Sequence, residues 1–254
     1  MKILITGSSG FIGRNLIDKI HGNCTLINAI SYKRNLEKKY KNVFEYNLDL
    51  KQINAHHLKD IDVVIHLACA GVSPQKVSYK QLMEVNISGT IDLLMKASKY
   101  GVRRFIGIGT CYEYGLSAKD FKRVPISANL QPINSYAASK CAAFYLMKDY
   151  CKKHNIEFFY GRIFNTYGYD QFSQNLFPSL INAANKNRNF IIKNSKIIRD
   201  FIPIEDVVCY LNKAIYSKKI NVENPFITNI GSSKGVSIED FVKLWWIRLN
   251  AKGD

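Results

Sequence analysis

The sequence has only six prolines and two tryptophans, no Cys-x-x-Cys pair, and no apolar run near the roughly 18 residues of a membrane span. These absences exclude a proline-rich linker, a zinc ribbon, a disulfide scaffold and a spanning helix. The cysteines (Cys24, Cys69, Cys111, Cys141, Cys151, Cys209) are scattered, mostly inside apolar stretches where a free thiol acts as a small hydrophobe. Acidic residues are scarce as well: 20 against 36 basic ones, a net charge of +16. The basic residues are dispersed in pairs such as Lys33-Arg34, Lys38-Lys39, Lys152-Lys153 and Lys218-Lys219, with no nucleic-acid fold signature. No nucleic-acid partner is expected, although the field favours an anionic small substrate or cofactor. Met1 to Thr6 is too short for a signal segment and runs into a glycine turn, so it reads as a first strand. A cytoplasmic enzyme without a membrane partner is expected.

What is present is a soluble globular composition, 47% hydrophobic and 22% charged, in a chain long enough for one large domain or a domain with an annex. Apolar β-rich runs recur at Lys2–Thr6, Thr25–Ile30, Asp62–Ala68, Arg104–Gly109 and Glu157–Ile163. Stretches of helical period lie among them, at Phe11–Ile20, Tyr79–Lys99 and Tyr136–Lys153. Near-continuous apolar strands alternating with helices predict an α/β fold, a Rossmann-type doubly wound parallel sheet covered on both faces. Turn punctuation becomes denser around Asn165–Gly168, Phe177-Pro178, Ile202-Pro203 and Asn224-Pro225. Residues 1–165 are therefore expected to form the dinucleotide-binding domain, and residues 166–254 a smaller substrate-binding region interleaved with it.

Three signals then fall in order. In the turn Gly7-Ser8-Ser9-Gly10-Phe11-Ile12-Gly13, glycines permit tight geometry and close approach of a pyrophosphate to a helix N-terminus. Gly7, Ser9, Gly10, Phe11, Ile12 and Gly13 are the candidate cofactor contacts. The spacing is G-x-x-G-x-x-G, a departure from G-x-G-x-x-G. Thr110 follows after the fourth of the apolar runs, and Tyr136 and Lys140 share one face of a helix. An ammonium beside a phenol favours the phenolate, so the pKa of Tyr136 is expected to fall from about 10 toward working pH, ready for proton transfer. The second strand ends in Ser31-Tyr32-Lys33-Arg34, where an Asp or Glu would repel a 2′-phosphate. Ser31 removes that repulsion, and Lys33 and Arg34 either supply counter-charge or solvate a loop. NADP(H) is favoured, with NAD(H) as the alternative.

These residues resemble the extended short-chain dehydrogenase/reductase family, in its branch of nucleotide-sugar epimerases, dehydratases and 4-ketosugar reductases. The likeness includes Asp49-Leu50, His66-Leu67-Ala68, Asn86-Ile87-Ser88-Gly89-Thr90, Gly-Thr-Cys-Tyr-Glu-Tyr-Gly around Thr110, and Tyr136/Lys140. It continues through Arg162-Ile163-Phe164-Asn165-Thr166-Tyr167-Gly168, Arg199-Asp200-Phe201-Ile202, Glu205-Asp206-Val207 and Asn229-Ile230-Gly231. The resemblance implies that Asp49 and Leu50 hold the adenine and that Leu67 and Ala68 line the nicotinamide side. Thr110 would bind the reacting oxygen, Tyr136 would move its proton, and Lys140 would bind the nicotinamide ribose. Asn86, Thr110, Cys111, Asn165 and Arg199 would face the nucleotide-sugar substrate, with Asn165 and Arg199 at its diphosphate. Asn86 and Asn165 also read as turn or capping residues, Arg199 as a structural partner of Asp200 or Glu205, and His66 as a satisfied core histidine. A homodimer is compatible with the resemblance.

The 4,6-dehydratases of this family carry Asp-Glu directly after the catalytic Thr; Cys111-Tyr112 stands here instead, which argues against dehydration. Cys111, next to a strand residue, is expected on the opposite face as a buried thiol. Ser31 speaks against the NAD-retaining 4-epimerases. The reading that remains is reduction of a 4-keto-6-deoxyhexose nucleotide by NADPH; a nucleotide-sugar epimerase and a non-catalytic nucleotide-sensing protein on the same fold are the alternatives. The chain ends at Asp254, where family members commonly run further, so the nucleotide end of the pocket is expected to be completed differently or by further chain.

Overall fold

The computed structural model describes residues 1–32, 34–72 and 76–253. β1 (Lys2–Thr6) is buried from its second residue on, and its side chains alternate between two cores. Ile3 and Ile5 join Leu16, Ile106, Val207 and Leu211 on one face. Leu4 joins Val64, Leu93, Phe105 and Phe158 on the other. A strand with two apolar faces needs helices on both sides, which is why this sheet is parallel.

Seven parallel strands lie in the order β3-β2-β1-β4-β5-β6-β9: β2 (Leu26–Ser31), β3 (Val43–Asn47), β4 (Val63–His66), β5 (Arg104–Thr110), β6 (Glu157–Ile163) and β9 (Phe226–Ile230). Strand order reverses between β1 and β4, so the crevice at the carboxyl ends of those strands is the natural ligand site of a doubly wound sheet. Register aligns the ends: Thr6 lies opposite Ile30 on one side and His66 on the other.

Helix α1 (Phe11–Ile20) packs on α7 (Ile204–Tyr216) over one face. Over the other face, the short α2 (Ala55–Leu58) precedes a long helical run, in which α3 (Tyr79–Gln81) passes through a π-helical stretch (Leu82–Gly89) into α4 (Thr90–Lys99). α5 (Ser135–Lys153) packs beside that run. A three-stranded sheet, β10-β8-β7, is built from β7 (Asn165–Tyr167), β8 (Ile198–Pro203) and β10 (Gly235–Ser237), with α6 (Leu176–Asn185) and α8 (Ile238–Arg248) nearby in sequence. After β8 and α7 the chain returns through β9 to the large sheet, so the C-terminal part is interleaved with the first. Buried Arg104 joins them, donating to the carbonyls of Ala214 and Ile215 at 2.8 and 2.7 Å.

Candidate active site

The glycine turn links β1 to α1. Gly7 has φ +68°, and a Cβ there would lie 2.7 Å from the Ala68 nitrogen; a Cβ on Gly13 would lie 2.3 Å from the Gly7 carbonyl oxygen. Only glycine permits this left-handed bend and this approach of helix to strand. Gly10 is the exposed N-cap of α1, with no side chain capping the helix and no acidic residue in its first turn. Those free backbone donors and the helix dipole suit a pyrophosphate. Ser9, Phe11 and Ile12 are half-buried around the opening, and Ser8 Oγ is buried with no hydrogen-bond partner among the described residues. The residues present fit a dinucleotide.

Ser31 ends β2 opposite Asn47 and is buried, while Arg34 is exposed; Lys33 lies outside the described residues. Asp49 caps the next turn, accepting from Lys51 N at 2.9 Å. Leu50 packs against the π-helical stretch, where a Cβ on Gly89 would meet its Cδ1 at 3.2 Å.

At the end of β4, Leu67 N donates to the Thr6 carbonyl at 3.2 Å and Ala68 N to Thr6 Oγ1 at 3.2 Å. Thr6 Oγ1 lies 2.7 Å from His66 Nδ1, and His66 Nε2 lies 2.8 Å from Thr90 Oγ1. Burial, followed by the charge of Lys140, pushes the His66 pKa down to about 3. His66 is thus a neutral core histidine tying β1, β4 and α4 together. Asn86 is also buried: its Oδ1 accepts Ala70 N at 2.7 Å, and its Nδ2 donates to the Ala70 carbonyl at 3.0 Å and to Ser139 Oγ at 2.9 Å. Its amide is spent inside the protein, as a brace between the loop after β4 and α5.

Tyr136 stands in the first turn of α5, whose N-terminus Asn134 caps by accepting Ala137 N at 2.8 Å. α5 packs on the 3₁₀ turn that follows Thr110, and the Tyr136 ring faces Gly71. Lys140 is buried one turn on, and among the described residues no hydrogen bond or ion pair engages its ammonium group. The Tyr136 pKa is raised well above the ordinary value, by burial first and then by Cys69, Glu113 and Cys111. This corrects the expected lowering: burial, with Cys69, Glu113 and Cys111 around the phenol, disfavours the phenolate, and Tyr136 is held protonated.

Thr110 ends β5 and caps the 3₁₀ turn Cys111–Glu113, its Oγ1 accepting Tyr112 N at 3.3 Å. Because strand geometry stops at Thr110, Cys111 does not alternate to the far face as expected. Its Sγ lies 3.9 Å from Asn165 Oδ1, and it senses the charge of Arg199. Burial raises this thiol to about 12, so it is protonated. Arg199 donates to the Ile198 carbonyl at 3.0 Å, and its charge acts on the Tyr112 phenol. Asp200 is already taken by Ser232 N and Oγ, both at 2.7 Å, and by Ser233 N at 2.8 Å, so Arg199 has no carboxylate partner among the described residues. The structure therefore brings Thr110, Cys111, Asn165 and Arg199 to one side of Tyr136.

Two residues escaped the sequence reading. Cys69 lies close enough to Tyr136 to raise its pKa, and Glu113 lies fully buried behind Thr110. The signal for Glu113 was the Thr-x-x-Glu capping box formed by Thr110 and Glu113. Among the described residues no group of side chains could hold a metal ion, and no helix is long and apolar enough to cross a membrane.

The model of the NAD dependent epimerase/dehydratase family matches residues 3–231, and the chain belongs to that family. Among its relatives, dTDP-D-glucose 4,6-dehydratase of Dictyostelium discoideum is 30% identical over 269 aligned residues, covering 95% of this chain and 61% of that protein. UDP-glucuronic acid decarboxylase 6 of Arabidopsis thaliana is 34% identical over 179 residues, covering 66% and 51%. The chain thus spans between half and two thirds of the length of these curated relatives. MoeE5, solved in complex with UDP-glucose and NAD, superposes with a TM-score of 0.85 at 25% identity, covering 98% of this chain and 82% of that one.

Proposed function

We propose that the protein is a nicotinamide-dependent oxidoreductase of nucleotide-linked sugars that reduces a 4-keto-6-deoxyhexose nucleotide with NADPH. The observation that carries this reading is the orientation of Glu113. The carboxylate nearest in sequence to Thr110 is turned into the core and paired with Arg162 at 2.8 Å, which leaves no acid–base carboxylate beside Thr110 among the described residues for eliminating water. Thr110 Oγ1 donates to the keto oxygen, and protonated Tyr136 delivers a proton to it. Lys140 has an ammonium free to hold ribose hydroxyls. Asn165 and Arg199 meet the diphosphate, for which a guanidinium fork is suited. When bound, the cofactor supplies the hydride.

The experiment is NADPH and NADH consumption with a panel of 4-ketosugar nucleotides. One equivalent of NADPH oxidised per substrate is expected, with a ten- to hundredfold kcat/KM preference over NADH, about 1.4–2.8 kcal/mol. Ser31→Asp is expected to reverse it, since a carboxylate accepts the 2′-hydroxyl and repels the 2′-phosphate. An unchanged ratio in that variant removes the NADPH assignment. A second reading, epimerisation, is favoured by the protonated Cys111 thiol on the substrate side. It is met instead if sugar nucleotides interconvert without net cofactor oxidation. Nucleotide binding with neither outcome identifies a non-catalytic sensor.

We also propose that two copies associate through the exposed apolar side chains of α4 and α5, which include Met95, Tyr145 and Leu146.

A further inference from the structure

Behind Thr110 lies a cluster in which Glu113, Tyr160 and Arg162 are each at most 2% exposed. Glu113 Oε1 accepts the Thr110 amide at 2.8 Å and the Tyr160 hydroxyl at 2.8 Å, while Oε2 accepts Arg162 Nε at 2.8 Å. The cluster reaches α5 by three routes. The Tyr160 hydroxyl lies 3.5 Å from the Lys140 carbonyl, Cys141 Sγ lies 3.8 Å from the Glu113 carbonyl, and the Arg162 guanidinium lies 4.6 Å from the centroid of the Phe144 ring. A Cβ on Gly109 would come within 2.4 Å of Glu113 Oε1, so the strand leaves out a side chain to admit this carboxylate.

Burying a charge pair is a poor route to stability, because an apolar pair of equal volume commonly does as well. What this pair supplies is connection: one carboxylate is bonded to the residue that ends β5 and to two residues of β6, and the Tyr160 hydroxyl that it holds lies against the turn of α5 that bears Lys140. We propose that Glu113 is a positioning residue, whose buried carboxylate fixes Thr110 and the Lys140 turn of α5 relative to one another. It does not meet the substrate. The inference rests on the reading of Thr110 and Lys140 as site residues.

Tyr160→Phe removes only the linking hydroxyl. The kcat is expected to fall about tenfold with both KM values within about twofold, since a misplacement of 1 Å costs on the order of 10²-fold. Glu113→Leu with Arg162→Met replaces the pair by apolar side chains. It is expected to fold and bind cofactor while kcat falls on the order of a hundredfold. Glu113→Gln with Arg162→Met keeps an oxygen to accept the Thr110 amide and is expected to regain about tenfold of that loss. A folded Leu/Met variant with kcat within about threefold of wild type overturns the proposal. If that variant does not fold, an unchanged kcat in Tyr160→Phe overturns it. Should wild type turn over no nucleotide sugar, the proposed function falls separately, and amide hydrogen exchange decides this inference. Segments 107–114 and 136–143 are then expected to lose protection together in Tyr160→Phe, and unchanged exchange in either overturns it.

Discussion

Tyr136 and Lys140 share a helix face because they are four positions apart, and that much was legible in the sequence; the protonation state of the phenol was not. It depends on how much water the folded chain leaves around the ring, and burial together with Cys69, Glu113 and Cys111 raises the pKa well above its usual value. Reduction needs the protonated phenol. Its rate is therefore expected to stay level through neutral pH and to decline only in the alkaline range, as the donor ionises. Tyr136→Phe should lower kcat by about 10²–10⁴-fold and leave cofactor affinity within a few fold, checked by steady-state kinetics and a binding titration. More than about a tenth of wild-type kcat would contradict the donor role. His66 gives the opposite kind of dependence. Its folded pKa, about 3, lies below the unfolded value of about 6.5, so the unfolded chain binds more protons between them. The stability from the neutral ring is present above about pH 6.5 and is lost as pH falls toward 3, about 2 kcal/mol of it by pH 5. Thermal unfolding at pH 7 and pH 5 measures this loss, and His66→Gln should flatten that part of the slope.

Several elements could be read directly, because their cause is local. Phe11–Ile20 and Glu157–Ile163 have the bounds their periodicity gives, with apolar positions at the spacing that buries one helix face or both strand faces. β3 (Val43–Asn47) and β9 (Phe226–Ile230) stood out less, since each closes one edge of the sheet, where polar residues such as Glu45 and Asn229 break the apolar run. The end of β5 was the costly ambiguity: one further strand residue would have sent Cys111 to the far face, and a Thr-x-x-Glu capping box keeps it on the near one. The helical run over Tyr79–Lys99 was legible as a helix, but its π-helical stretch was not, because the apolar spacing carries no mark of it. Asn86 sits in that stretch and gives two donors and one acceptor to Ala70 and Ser139. Asn86→Asp keeps the shape and removes both donors. With roughly 1 kcal/mol per lost hydrogen bond, and a carboxylate oxygen then set against the Ala70 carbonyl in a buried site, destabilisation of at least about 2 kcal/mol is expected, and the unfolding midpoint should drop by about 4 °C or more. Cofactor affinity should weaken in parallel, because the loop that Asn86 braces begins at Ala68. An Asp variant with wild-type melting and affinity would assign Asn86 elsewhere.

At the scale of the whole molecule, a chain of net charge +16 resists casual association, so an apolar area on its surface calls for a specific explanation. Met83, Ile87, Ile91 and Met95 recur every four residues along the run that ends in α4, with Met83 60% and Met95 50% exposed. Ala138, Ala142, Tyr145 and Leu146 follow a similar spacing on α5, where Tyr145 is 57% and Leu146 48% exposed. The two helices pack side by side, so their apolar stripes lie on neighbouring elements. Paired with the same surface of a second copy, they would form a two-fold contact in which each residue meets its counterpart's neighbourhood, and a stable contact of this kind buries more than about 1,000 Å². The protein is expected to sediment as a dimer at micromolar concentration. Met95→Lys with Leu146→Lys places two further positive charges per copy in the contact and should yield a monomer that still binds cofactor, since neither side chain belongs to the site. Sedimentation of the wild type as a monomer, or of the double variant as an unchanged dimer, would rule out this surface as the contact.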